Sequence, residues 1–121
     1  MSALDDVIRR NEEKMKKVAD FGELLDSMAS VDDKRKLLWK EIYQNAVTDR
    51  ENAYILYIGL YQTMSGSPAD HAAHGSTLMK YMERMSKAND QIIKLAEMIR
   101  STEEESQAID SEDIFSKISK E

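Results

Sequence analysis

A single proline punctuates this chain. Pro68 lies in Ser65-Gly66-Ser67-Pro68, and on each side of it runs a long, unbroken helical pattern of apolar residues. Proline has no N–H and clashes with the turn before it, so the two patterns are separate helices joined by one tight turn. Each carries apolar residues over a wider arc than one neighbouring helix covers. Two long helices paired this way enclose no globular interior, so they need partners, most simply copies of themselves.

Before the turn, Ser30-Val31-Asp32-Asp33 reads as a helix start, with Ser30 as the cap and Asp33 as the acid that reaches back to it. From there to Met64 one stripe follows Trp39, Ile42, Ala46, Asp49, Ala53, Leu56, Leu60 and Thr63. A second stripe, one position round, follows Tyr43, Val47, Arg50, Tyr54, Tyr57, Tyr61 and Met64. The tyrosine spacing is that of a buried face rather than of a base-stacking platform. Such a helix is about 50 Å long at 1.5 Å per residue.

After the turn, His71, Gly75, Leu78, Met82, Met85, Asn89, Ile92, Ala96 and Ile99 alternate steps of three and four, the signature of a coiled-coil-like seam. Asn89 is the polar exception, the kind of residue that fixes register at a cost in stability. The segment 1–30 has a weaker helical period, with an almost wholly polar stretch from Arg9 to Lys17. It is either one helix broken near Asn11 or a frayed helix followed by a better one from Val18, with a bend at Phe21-Gly22. The chain therefore divides into an N-terminal helical segment (1–30), a helical core (31–100) and a tail (101–121). The fold expected is all-α: a long antiparallel, coiled-coil-like hairpin, oligomeric, with a mostly disordered acidic tail.

The net charge of −6 sits largely in that tail. Residues 101–121 carry 2 basic and 7 acidic side chains, whereas 31–100 carry 10 and 9. The run Ser101 to Gln107 is polar and like-charged and is expected to be solvated. Within Ser111 to Ile118, Ile114, Phe115 and Ile118 share one side of a short amphipathic helix that a partner's groove would stabilise. No cysteine is present, which removes disulfides and thiolate chemistry. No apolar run approaches the roughly 20 residues of a membrane helix, and the N-terminus lacks the pattern of a signal peptide. A soluble, intracellular protein with no membrane contact is expected.

Candidate chemistry is sparse. His71 and His74 lie three apart, but two ligands do not complete a metal site, so neither a metal nor another cofactor is expected. Paired acids such as Asp32-Asp33 sit at helix starts rather than in a cleft that would shift a pKa, so no catalytic residue is expected. Lys34, Arg35, Lys36 and Lys40 form a weak basic cluster, a solvated face in one copy and a phosphate-binding patch if repeated around a ring.

The run Met85-Ser86-Lys87-Ala88-Asn89-Asp90-Gln91-Ile92-Ile93-Lys94-Leu95 resembles the end of the central hairpin in small terminase subunits of T-even-like tailed phages, as the Ser67-Pro68 turn followed by His71 resembles that family's turn. The resemblance covers about residues 32 to 98. It implies a non-catalytic DNA-packaging protein of the host cytoplasm that forms a homo-oligomeric ring, helps to recognise viral double-stranded DNA, and regulates the ATPase and nuclease of a large terminase subunit. Trp39, Ile42, Leu56, Leu60, Leu78, Met82, Met85, Asn89, Ile92 and Ile99 would then form the hairpin and oligomer core. Lys34, Arg35, Lys36 and Lys40 would touch DNA, and Ile114, Phe115 and Ile118 would suit docking on the large subunit. Segment 1–30 is too short and polar for the helix-turn-helix that many small terminases carry. The rival expectation is a dimeric coiled-coil adaptor, or a transcription or recombination accessory factor, that acts through its C-terminal motif.

Overall fold

The computed structural model describes the backbone of residues 2–64 and 66–119, and the side chains of these residues up to 106 together with Ile118. Three α-helices account for it: α1 (Ala3–Asp26), α2 (Asp33–Thr63) and α3 (Pro68–Ser119). No strand occurs among the described residues, so the chain is all-α.

Each helix start has a local cause. The Asp5 amide donates to Ser2 Oγ at 3.1 Å and the Ser2 amide to Asp5 Oδ2 at 3.3 Å, a reciprocal capping box that opens α1. Asp32, not Ser30, caps α2: its Oδ1 accepts from the Arg35 amide at 2.8 Å. The cap moves two residues on because Val31 is only 4% exposed, packed in a cluster with Leu25, Trp39 and Leu95. Burying Val31 keeps the chain extended at Asp32, where ψ is 160°, and helix follows only after it. α3 opens with Pro68 as its first residue, where the missing N–H costs nothing, and Ser67 Oγ accepts from the Asp70 amide at 3.2 Å. In the connection Gly66 has φ +80°, a left-handed conformation that glycine adopts without a Cβ clash.

α1 runs without a break through both Asn11 and Phe21-Gly22. The polar stretch that the sequence left open is bridged by contacts with α2. Arg10, within that stretch, engages Glu51, and beyond it Phe21 stacks on Tyr43 with ring centroids 4.1 Å apart. Helix likewise continues through the acidic segment as far as Ser119, where a mostly disordered tail was expected. From Ser76 onward the chain has neither glycine nor proline. The Thr102 hydroxyl donates to the Met98 carbonyl at 3.0 Å, and Arg100 and Glu104 form an i,i+4 ion pair at 3.9 Å.

α2 lies mainly against α3, and α1 against α2. Arg50 of α2 reaches Asn89 of α3, Ile42 shares a hollow with Leu95 and Met98, and Leu56 shares one with Tyr81. Higher residue numbers on one helix thus meet lower numbers on the other, so the two run in opposite directions. With 52 residues against 31, α3 outruns its neighbour.

The seam of α3 is rolled by one residue from the expected one. Ala88 and Leu95 are buried, with Leu78, Tyr81, Met85, Ile92 and Ile99 half-buried alongside them, whereas Met82, Asn89 and Ala96 are exposed. Every second seam position is therefore the neighbour of the one the heptad suggested. The roll places Ala88 rather than Asn89 inside, which avoids burying an amide, and it brings in the larger Leu95 in place of Ala96. Two equally spaced heptad rows stand one residue apart on this helix, and packing chooses the drier.

Candidate functional site

The feature that most needs explanation is uncovered apolar surface. Among the described residues the enclosed core is small: Leu25, Val31, Trp39 and Leu95 form its main cluster, with Phe21, Met28, Ile42, Tyr43 and Ile99 packed against it, and Ala46, Val47, Ala53 and Ala88 are also buried. Outside it, Leu56 is 53%, Met79 61%, Met82 54% and Ile93 56% exposed. Met79, Met82 and Ile93 lie on one side of α3, since steps of 3 and 11 residues return close to the same direction on a helix. Leu4, Ile8 and Met15, also exposed, share a side of α1 by the same count.

The chain exposes 9047 Å² in all, against about 6,700 Å² for a compact monomer of its mass, and the end of α3 that runs beyond α2 adds to that total.

Of the residues expected to build the paired core, Trp39 is buried, and Ile42, Leu60, Leu78, Met85, Ile92 and Ile99 are half-buried. Leu56, Met82 and Asn89 are the exposed members, and the first two are apolar surface available to a neighbour rather than enclosed by this chain. Asn89, on the edge of the seam, accepts a 3.0 Å hydrogen bond from Arg50 Nη1, thirty-nine residues away.

The four basic residues do not share one free face. Lys40 Nζ is bound to Asp26 at 2.8 Å, and Lys36 is half-buried on the same side of α2, with its charge also acting on Asp26. The Lys40 hydrogen bond holds the Asp26 carboxyl below its ordinary pKa, burial opposing and the charges of Lys40 and Lys36 assisting. α1 has no basic residue in its last turn, so α2 supplies the cation that complements the negative end of its dipole. Lys34 and Arg35 remain exposed, and Arg35 pairs with Asp32 at 3.5 Å. Of the C-terminal motif, Ile118 is 67% exposed, while the side chains of Ile114 and Phe115 lie outside the described residues.

A contact the sequence did not announce ties α1 to the middle of α2. Arg10 engages Glu51 through two bonds, Nε to Oε1 and, at 3.0 Å, Nη2 to Oε2. Its guanidinium carbon stands 3.9 Å from the centre of the Tyr54 ring. Arg10 had been one of five basic residues on an unremarkable polar stretch; the only clue was that Glu51 and Tyr54 sit three apart on α2 and so face the same way.

No group of three or more potential metal ligands occurs among the described residues, and no described helix is long and apolar enough to cross a membrane. His71 is exposed and His74 half-buried. No protein family, no characterised protein and no solved structure matches this chain.

Proposed function

We propose that this chain is a non-catalytic assembly subunit, which forms a homo-oligomeric ring and serves as the small subunit of a viral DNA-packaging terminase. The observation that carries the oligomeric part is the uncovered apolar surface on both long helices, in particular Leu56, Met79, Met82 and Ile93, each more than half exposed. Leaving that much apolar area in water is unfavourable by about 25 cal/mol per Å², so association has a ready driving force. The packaging role rests on the resemblance of Met85 to Leu95 and of the Ser67-Pro68 turn to the helical hairpin of T-even-like small terminases.

In this reading the antiparallel pair α2 and α3 is the ring-building unit, and the large terminase subunit and viral double-stranded DNA are the partners. Lys34 and Arg35 are the exposed cations of the basic cluster, Arg35 also pairing with Asp32. Repeated around an axis they give a weak, salt-sensitive hold on phosphates rather than sequence recognition. The experiment that tests the packaging role is an ATPase assay of the large subunit with and without this protein. Stimulation supports the role, and an unchanged rate with a well-assembled ring removes it.

A further inference from the structure

Two hollows of about 450 and 460 Å³ lie along the α2–α3 seam, and both are lined by Asp49, so they form one groove. No α1 residue contributes to either. The floor is apolar, with Ile42 and Leu95 at one end and Ala53 and Leu56 at the other. Lys80, Arg84 and Lys94 of α3 stand along its rim, all three exposed, and none has an ion pair among the described residues. Asp49 is the one acid in the lining, which leaves the groove with a balance of two positive charges. From Lys80 to Met98 the groove follows α3 for about 27 Å at 1.5 Å per residue. An apolar floor with a cationic rim fits an acidic amphipathic helix better than it fits a bare phosphate chain.

The chain itself contains an acidic helix that ends in an apolar motif. Residues 103–118 belong to the end of α3, helical throughout, and carry six acids against one lysine, with Ile114, Phe115 and Ile118 near the terminus. Their length, about 24 Å, matches the groove. They do not reach the groove of their own chain. Ile42 is level with Leu95 and Met98, so equal rise brings the start of α2 level with residues near 106, and the continuous helix carries the acidic end past α2 and away.

We infer that the acidic end of α3, residues 103–118, seats in the α2–α3 groove of a second copy of this chain, its carboxylates against Lys80, Arg84 and Lys94. The inference rests on the oligomeric part of the function proposed above and specifies its contact. Groove and acidic helix are different surfaces, so each copy offers one of each. The contact is heterologous, the kind that repeats into a ring when the rotation closes. It also gives the acidic segment a place inside the assembly, where the family resemblance had suggested only the large subunit.

The test is charge exchange in the full-length chain, read by sedimentation velocity with helicity checked by circular dichroism. Lys80→Glu/Arg84→Glu/Lys94→Glu weakens association at least about tenfold, and so does Glu103→Lys/Glu105→Lys/Glu112→Lys, a set that spares the Arg100–Glu104 pair. The six-fold combination regains most of the lost association, because attraction is restored with its signs reversed. If the groove variant assembles as the wild type does, or if the combination stays as weak as either parent, the docking contact is overturned while the oligomer stands. A wild-type chain that fails to associate at all overturns the oligomeric reading and this contact together.

Discussion

Arg10 of α1 and Glu51 of α2 meet as a two-point fork and carboxylate in the middle of the helix pair, under cover of the Tyr54 ring. On one side of this clamp α1 meets the apolar cluster around Leu25, and on the other Ala3 and Val7 lie near Ile58. Between clamp and cluster Lys14 and Lys17 border the buried Val47 of α2, so the contact runs along the helix.

Replacing Arg10 with alanine should lower stability by about 1–2 kcal/mol, a value reduced because its side chain keeps 31% exposure. Arg10→Lys should recover less than half of that, since an ammonium gives neither the fork nor the planar stack. Urea unfolding measures both, and hydrogen exchange should show faster opening confined to residues 3–14. Equal stability of all three proteins would remove the clamp from the account.

Leu25 is fully buried, in one cluster with Val31, Trp39 and Leu95, so it joins α1, the connection and both long helices. Leu25→Ala should cost about 2–4 kcal/mol through lost contacts and the cavity left behind. Trp39 is the only tryptophan and is 3% exposed, so its fluorescence reports directly. The variant's emission should shift to the red before global unfolding.

How far these features were legible in the sequence depends on whether a residue's role is set locally. The turn was legible because Gly66 and Pro68 act through their own backbone, and α2 was legible because its stripe through Trp39, Ile42, Ala46 and Ala53 is the face that meets α3. The α3 seam was half legible. Leu78, Met85, Ile92 and Ile99 fit either of two heptad rows, and only contact with α2 selects Tyr81, Ala88 and Leu95 over Met82, Asn89 and Ala96. The Arg10–Glu51 pair, forty-one residues apart, was not legible, because nothing local distinguishes Arg10 from the bases around it. Lys36 and Lys40 misled for the opposite reason: a cluster in sequence is split in space by the approach of α1.

Acid should loosen the Asp26 end of α1 first. A carboxyl whose folded pKa is depressed adds stability above its unfolded pKa and loses that contribution as pH falls through the folded one. Lys40 depresses Asp26, so the contribution is complete above the ordinary value of 3.8 and fades below it. Asp26→Asn should abolish that part of the acid dependence in urea unfolding, and the carboxyl chemical shift of wild-type Asp26 follows its titration. An Asp26 that titrates at the ordinary value would contradict the assignment.

The exposed row on α3 should matter to assembly and not to the fold of one chain. Met79→Lys/Met82→Lys should leave helicity intact, because surface substitutions seldom cost more than about 0.5 kcal/mol. The same pair should shift the oligomer towards smaller species at equal concentration. A variant that unfolds instead would place these methionines inside a core.

A native mass spectrum of the purified chain reads the assembly outright. A closed species of many subunits is expected, persisting on dilution and losing copies when the α3 methionines are made charged. A spectrum holding only the 13.9 kDa chain, even from concentrated solution, would contradict it.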